Sequence, residues 1–442
     1  MSKPSIVAAL VGGLLLTAYV RAQFAPAQGI PVDRLVRNIT AYAQEHPRDA
    51  HAQYLLGRVH ALAFRHDRTY VGTYGKDAKT GLPRIGADTR QSWTPPPGSK
   101  GIFPPPDKKP PPLSSDQKAK HVRASITAYT RAIELDPAPS HYHLGLAFIL
   151  DRGRPLLHRV PPPDRLVPTR AGKPAEAAIW FQQLSNLGDP NRDRDRDSLQ
   201  AYWREAAIDR YLEAYKRSID KDLKITHQPL EGIRTLVSHE AGTTYIKLVQ
   251  ERKPTPQEGK TIVGIQVSLK ALAGKRPGPV TPIIFSLDAP RPLSALLAPG
   301  RRVRFDLDGD GTAEQRPWVA ANTAILVWDP YRTGRITSGR QLFGSVTFHM
   351  YPGDGYLAMN LLDDDRDGEL ANSELHGLAI WTDRDQDGRS DAGEVTPIEQ
   401  TAIAGIRVHA LDRNELGWLQ PLGLRLTDGR ILPTYDWIAP AP

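Results

Sequence analysis

Apolar residues recur at helical spacing in two parts of the N-terminal half of this chain. In residues 118–150 they recur every three or four positions, stop at Asp136-Pro137, and then resume. Residues 31–66 repeat this order with a break at Pro47. Because this period matches the turn of an α-helix, each segment predicts a pair of antiparallel helices.

The two predicted pairs also share small residues, which let helices approach closely. Gly57 and Gly145 occupy matching places, and residues 207–222 with 230–252 supply a third pair of similar pattern. This arrangement resembles the tetratricopeptide repeat, and the resemblance implies a protein partner bound by the helical region, residues 31–252. Gly57 and Gly145 lie 88 residues apart, against about 34 in the family, so irregular hairpins separated by long insertions are expected.

Beyond the first helix pair, successive segments of the chain differ in composition and in the structure that they predict. Residues 94–115 are rich in proline, which favours an extended, solvated insertion. Residues 253–279 look like a linker. A second, smaller unit is expected at residues 280–410, where short apolar runs alternate with acidic loops, and residues 411–442 are expected to form a C-terminal extension.

Two segments of the second unit crowd alternate aspartates against a glycine, and neighbouring carboxylates repel unless a cation lies between them. A twelve-residue calcium loop takes oxygen ligands from its first, third and fifth positions, a carbonyl at the seventh, a ligand at the ninth and a glutamate at the twelfth, with glycine at the sixth. Residues 363–374 and 383–394 fit this spacing. The predicted Ca²⁺ ligands are Asp363, Asp365, Asp367, Glu369 through its carbonyl and Glu374, and then Asp383, Asp385, Asp387, Arg389 through its carbonyl, Asp391 and Glu394.

Two weaker loops precede these. Residues 306–317 place Pro317 where the closing glutamate belongs, but they still supply four candidate ligands, namely Asp306, Asp308, Asp310 and Glu314. Residues 329–340 keep Asp329 and a glycine but replace the other ligands with tyrosine and threonine. This last loop is expected to hold its shape without metal. The alternative for the two complete loops is a pair of solvated acidic turns.

The run from about residue 280 to 408, with "RFDLDGDG", "ILVWD", "SGRQLFG" and the two complete loops joined by "LAIW", resembles the EF-hand-like module of RTX-type secreted calcium-binding proteins. The resemblance implies calcium binding and export. The predicted fold class is therefore mainly α, with irregular tetratricopeptide-like hairpins followed by a smaller α+β calcium module. Eight residues, 375–382, join the two complete loops, which is too short for two helices, so one short helix or a helix-to-strand turn is expected there.

Residues 1–22 have the composition of a secretory signal: Lys3 precedes an apolar run that ends at Val20-Arg21-Ala22. An uncleaved membrane anchor is the alternative. Either reading places the remainder outside the cytoplasm, in the periplasm, in the cell envelope or in the medium. The chain has no cysteine, so packing or bound metal must supply the stability that disulfides give many exported domains.

Charge is unevenly distributed along the chain. Residues 301–400 contain 10 lysine and arginine residues against 18 acidic ones, a net charge of −8, although the whole chain carries +8. The basic remainder favours an anionic envelope surface as a partner. Basic residues interleaved with aromatics, the usual sign of nucleic-acid binding, are absent from the sequence.

No sequence motif of a known catalytic class is present, including the zinc-protease, serine-hydrolase and phosphate-loop patterns. The sequence therefore predicts a non-enzymatic, exported calcium-binding scaffold or adaptor. An envelope attachment protein and a hydrolase without a readable motif are the alternatives. Calcium is expected to stabilise the second unit and to leave the helical part almost unchanged.

Overall fold

The computed structural model describes residues 29–72, 112–157, 192–224, 237–272, 280–309, 313–350 and 352–440. The predicted signal at residues 1–22, most of the proline-rich insertion and the candidate ligand Asp310 lie outside these residues. The described N-terminal part is helical and the described C-terminal part is built mainly from β-strands.

Seven helices make up the described N-terminal part, and each packs against the next along the chain. Helices are present where the sequence predicts the three pairs. A short antiparallel ribbon of β1 and β2 flanks the first pair. The bounds are β1 Gly29–Pro31, α1 Val32–Glu45, α2 Ala50–His66, β2 Tyr70–Gly72, α3 Ser115–Leu135, α4 Ser140–Gly153, α5 Arg192–Leu223, α6 Val237–Gln250 and α7 Pro256–Ala271.

Capping side chains fix the starts of two helices, and two glycines allow a tyrosine ring to pack closely between helices. The Asp49 side chain accepts hydrogen bonds from two backbone amides in the first turn of α2, and Ser114 caps α3, so both helices start with satisfied N–H groups. The buried Tyr129 ring lies against both Gly57 and Gly145: a Cβ added at these glycines would lie 2.8 Å and 2.5 Å from ring carbons. Glycine is therefore required at both positions for α2, α3 and α4 to pack this closely.

Nine strands of the described C-terminal part form one antiparallel sheet, in the order β7, β10, β12, β13, β3, β6, β8, β9, with β11 paired to β12. A separate hairpin of β4 and β5 lies beside it. The bounds are β3 Ile283–Phe285, β4 Leu297–Phe305, β5 Glu314–Val319, β6 Ala324–Trp328, α8 Gly355–Asn360, β7 Glu369–Ala371, β8 Leu378–Trp381, β9 Val395–Pro397, β10 Ile403–Arg407, β11 Asp412–Asn414, β12 Gly417–Leu426 and β13 Ile431–Trp437.

The predicted fold class is wrong for this part of the chain, which is a large, mainly β unit and not a small α+β module. The central strands β3, β6 and β8 are buried along their whole length. Strands covered on both faces read as continuous apolar runs, and such short runs lack the alternation that identifies a half-exposed strand. The sheet therefore left only a weak signal in the sequence.

The chain segments on either side of the predicted module also contain regular structure. Helix α7 lies in the segment 253–279 that the sequence predicts as a linker. Strands β12 and β13 lie in the predicted C-terminal extension, and β13 pairs with β3 in the middle of the sheet, with Thr434 opposite Phe285. The last described residues thus complete the core of the second unit.

Buried side chains of the helices and of the sheet form one continuous apolar cluster. The helical part therefore packs directly on the sheet unit. Among the helices of the described residues, none combines the length and the apolar character that a bilayer crossing requires.

Candidate metal centre

The two complete loops lie at neighbouring connections of the sheet unit. The first loop, residues 363–374, follows α8, runs through β7 and ends in a short 3-10 turn, Asn372–Leu375. The second loop, residues 383–394, connects β8 to β9. Between them the chain passes from the 3-10 turn straight into β8, as the eight-residue spacing predicts.

Left-handed backbone occurs at the same two positions in three of the four loops. The fourth and sixth residues have positive φ in the first loop (Arg366 62°, Gly368 87°) and in the second (Gln386 58°, Gly388 78°). Residues 329–340 show the same feature at Arg332 and Gly334. Positive φ is uncommon outside glycine, so its repetition at position four indicates one shared loop conformation.

The carboxylates of the first loop are held by backbone amides that turn them inward. Asp363 accepts from the amides of Arg366 (2.7 Å) and Gly368 (3.1 Å). Glu374 accepts from the amides of Asp364 and Asp365 with one oxygen and from Ala371 (3.1 Å) with the other. The first and twelfth residues are thus fixed on opposite sides of one centre.

The second loop repeats this arrangement and adds a side-chain donor. Asp383 accepts from the amides of Asp387 (3.2 Å) and Gly388 (2.9 Å), and Glu394 accepts from the amides of Arg384 (2.7 Å) and Asp391 (3.1 Å). The buried Trp318 indole also donates to Asp383, with an Nε1–Oδ2 distance of 2.5 Å. This tryptophan comes from β5, so the hairpin helps to orient the first ligand.

These contacts bring most of the predicted ligands of the two loops together. In each of three groups, one ligand atom per residue lies within 4.8 Å of the others. Oxygens bound to one calcium ion at about 2.3–2.6 Å lie at most about 5 Å apart, so this clustering fits a single ion per loop. The groups are Asp363 with Asp365 and Glu374, Asp383 with Asp385 and Glu394, and Asp385 with Asp387 and Asp391.

Three predicted ligands stand apart from those groups. Asp367 is not in the group of the first loop. The side chains of Glu369 and Arg389 point elsewhere: Glu369 pairs with Arg425 (2.9 Å), and Arg389 is exposed and 3.9 Å from Asp387. For these two residues only the predicted carbonyl ligand remains available.

The first ligand of each loop is a buried carboxyl. Burial raises the pKa of Asp363 to about 6, and the hydrogen bonds from its loop amides oppose that rise. Burial likewise raises the pKa of Asp383 to about 6, again against loop hydrogen bonds and the Trp318 contact. A cation among these carboxylates would stabilise their ionised form and remove the cause of the shift.

Residues 306–317 differ because an arginine lies among the predicted ligands. The fully buried Arg316 donates from Nη2 to Asp308 (2.7 Å) and to Glu314 (2.6 Å). Asp306 is buried, and its backbone forms an isolated parallel β-bridge with Ser338. Two of the candidate ligands therefore already share a positive charge supplied by the protein.

Polar contacts within the loop at residues 329–340 involve its first residue, Asp329. Asp329 accepts from the amide and hydroxyl of Thr333 (both 2.9 Å) and from the amide of Gly334 (2.8 Å). The Ile336 amide donates to Ser390 (2.8 Å), and both residues are eighth in their loops. The second loop is thus tied to a loop in which threonine replaces a metal ligand.

Several residues that shape the site were missed at the level of sequence. The calcium-loop pattern marks neither Trp318 nor Arg316. Neither belongs to the ligand spacing, and their roles depend on the pairing of β4 with β5, which brings Arg316 opposite Val303. Spacing within a loop cannot reveal donors that arrive from another strand.

Comparison with known proteins points to the same segment. A family model described as the SPM domain matches residues 293–418, which contain all four loops. The chain is 31% identical over 116 residues to the iron-regulated protein FrpA of Neisseria meningitidis serogroup C. That alignment covers 25% of this chain and 10% of FrpA, so the chain spans about a tenth of the length of this relative. The family model covers residues 293–418 only, and the FrpA alignment covers a quarter of the chain.

Replacing Trp318 by phenylalanine is expected to weaken calcium binding at the second loop about 10- to 100-fold, the usual effect of losing an outer hydrogen bond to a metal ligand. Phenylalanine keeps an aromatic ring beside Phe305 and Trp381 but cannot donate to Asp383. Calorimetric titration of the full chain measures the change. Trp328→Phe is the matched control, since the Trp328 indole has no hydrogen-bond partner among the described residues. Equal losses in the two variants would contradict a role for the indole donor.

Proposed function

We propose that this protein is an exported calcium-binding scaffold in which the first and second loops each hold one structural Ca²⁺. The observation that carries this proposal is the convergence of Asp363, Asp365 and Glu374, and of Asp383, Asp385 and Glu394, around two centres. Hard oxygen ligands in a flexible loop suit calcium better than softer transition metals.

The structural role follows from how the loops are anchored. The first loop contains β7 and leads into β8, and the second loop connects β8 to β9. The chain between the loops is a 3-10 turn followed by β8, where a calcium sensor has mobile helices. Large opening motions in calcium sensors move helix pairs relative to one another. A bound ion here would instead hold neighbouring strand connections in place.

The loop at residues 306–317 is proposed to work without calcium. Arg316 offsets the charge of Asp308 and Glu314, and the twelfth position is Pro317. The guanidinium thus supplies the positive charge that a calcium ion supplies in the two complete loops.

The helical part is proposed to bind a protein partner in the envelope or outside the cell. The support is the stack of helices from α1 to α7, since stacked helix pairs present extended surfaces for recognition. Export is supported by the composition of residues 1–22. Copurification from envelope extracts, followed by a binding measurement with the purified partner, tests this part of the proposal.

Calorimetric titration of the full chain is expected to give two calcium ions per molecule. Asp383→Ala is expected to remove one of them, because it deletes the buried first ligand of the second loop. Asp306→Ala is the matched control, the first residue of the loop that contains Arg316, and it is expected to leave both ions bound. Loss of an ion in Asp306→Ala, or two ions in Asp383→Ala, would refute this assignment of the sites.

A further inference from the structure

Side chains of helix α1 form hydrogen bonds to the outer side of the first loop. One carboxylate oxygen of Asp364, the second residue of the loop, accepts from Arg34 Nε (3.0 Å), Arg37 Nη2 (2.7 Å) and Asn38 Nδ2 (2.7 Å). Asn38 is buried in this contact. Three donors on one face of α1 thus converge on a side chain that is not one of the predicted calcium ligands.

The same face of α1 also holds the backbone that leads into the loop. Arg34 Nη2 donates to the Leu362 carbonyl (2.9 Å), and Asn38 Nδ2 donates to the Leu361 carbonyl (3.0 Å). At the fourth loop position, Arg366 pairs with Glu45 at the end of α1 (2.5 Å). The second and fourth positions therefore face the helix, while the first, third and twelfth face the metal centre.

Among the described residues, the second loop has no comparable hydrogen bond to a helix of the N-terminal part. Its outward groups are held by the β4–β5 hairpin: Arg301 donates to the carbonyl of Gln386 (2.9 Å), and the Gln386 side chain donates to the Val319 carbonyl (2.8 Å). The two loops thus share one ligand geometry but secure different parts of the molecule.

The junction between α1, α2 and α8 combines apolar and polar groups and is incompletely filled. A cavity of about 30 Å³ lies between Ile39 and Leu55 on the helical side and Leu357 and Leu361 on the other. The α2 residue His51 contributes another polar contact, to the Pro352 carbonyl (2.8 Å). The polar contacts of this junction depend on the exact positions of their partners, because hydrogen bonds weaken steeply when distance and angle depart from the optimum.

We propose that calcium in the first loop controls the docking of α1, and with it the helical part, onto the sheet unit. The inference rests on the proposed calcium sites. Without a cation, the carboxylates of Asp363, Asp365 and Glu374 repel and the loop expands. With a cation, the backbone between positions one and five is fixed, and Asp364 and Arg366 are presented in the geometry that α1 binds. Asp364 and Arg366 are then the docking residues, and α1 is their partner.

Linkage makes this effect reciprocal: if calcium tightens docking, docking must tighten calcium binding by the same factor, and couplings between sites are commonly about 5- to 150-fold. Under this coupling, calcium acts on the helical part as well as on the sheet unit, whereas the sequence alone predicts that calcium leaves the helical part almost unchanged. Calcium bound at the first loop is expected to strengthen the docking of α1, and calcium bound at the second loop is expected to leave that docking unchanged.

Amide hydrogen exchange of the full chain, with calcium and with chelator, tests the inference. In the wild type, calcium is expected to slow exchange in α1 about 5- to 150-fold. Asp365→Ala, which removes the side-chain oxygen ligand at the third position of the first loop, is expected to abolish this slowing. Asp385→Ala, the same position in the second loop and similarly exposed, is the matched control and is expected to retain it.

A docking variant separates coupling from calcium binding itself. Asp364→Asn keeps every predicted ligand but loses the charge that Arg34 and Arg37 contact, so we expect two bound calcium ions, unslowed α1 exchange and weaker binding at the first loop. Calcium uptake by titration without any change in α1 exchange of the wild type would overturn the coupling and leave the calcium sites standing. Failure to take up calcium at all would overturn the proposed function, and the coupling with it.

Discussion

Removal of calcium is expected to lower the free energy of unfolding of the sheet unit by about 5 kcal/mol. An ion that binds only the native state at about 100 times its dissociation constant adds roughly 2.7 kcal/mol per site, and two centres are proposed. This loss is a large part of the ~5–15 kcal/mol that stabilises a typical domain. Residues 301–400 carry a net charge of −8, so repulsion among the carboxylates adds to the effect once the ions leave.

Urea unfolding of the full chain at pH 7.5, with calcium and with chelator, measures this loss. The transition of the sheet unit is followed by tryptophan fluorescence, because Trp318 and Trp381 pack together beside the second loop with ring centroids 5.6 Å apart. The control is the double variant Asp365→Ala with Asp385→Ala, which removes a side-chain oxygen ligand from each loop and should show the chelated midpoint in both conditions. An unchanged wild-type midpoint on chelation would mean that the loops are ordinary acidic turns.

The arrangement of the two complete loops could be predicted from the sequence because the determinants of a calcium loop are local. Carboxylates at fixed spacing, a glycine at the sixth position and a glutamate at the twelfth all lie within twelve residues. The structure brings Asp363 near Glu374 and Asp383 near Glu394 as this spacing requires. That calcium occupies these centres stays a prediction.

The helices of the three predicted pairs were also predictable, since a helix repeats its pattern within one segment, whereas α7 lies in the predicted linker. Their order and the glycine contacts at Tyr129 need only neighbouring helices to pack together. The sheet was not predictable in the same way. Its centre joins β13, near the end of the described chain, to β3, about 150 residues earlier, and the fully buried β6 and β8 carry no alternation. Nothing local marks two such segments as neighbours.

The charged residues around the loops illustrate the same limit. Arg34 and Asp364 are hydrogen-bonded although 330 positions separate them. In the sequence, Arg34 is one of 57 basic residues, and no spacing rule links it to a distant aspartate. Only the packing of α1 on the sheet unit gives these residues a common role.

Replacing Arg316 by methionine is expected to lower the free energy of unfolding by about 3–5 kcal/mol, the usual cost of removing one partner from a buried ion pair. Arg316 is fully buried, and Asp308 is only 5% exposed. Methionine fills similar space without a charge, so Asp308 and Glu314 lose the guanidinium that both contact. Millimolar calcium is expected to restore part of the loss, because the same carboxylates then attract the dication.

Urea unfolding of the full chain measures this cost, and two further variants identify its cause. Arg304→Met removes an exposed arginine from the facing strand β4 and should change stability by no more than about 0.5 kcal/mol. Arg316→Met combined with Asp308→Leu and Glu314→Met should recover most of the loss, because replacing a whole buried ion cluster by apolar groups of similar volume is often nearly neutral. If Arg316→Met unfolds at the same urea concentration as Arg304→Met, the guanidinium does not substitute for a metal ion in this loop. If it is destabilised and the triple variant is no better, the loss comes from packing and not from unpaired charge.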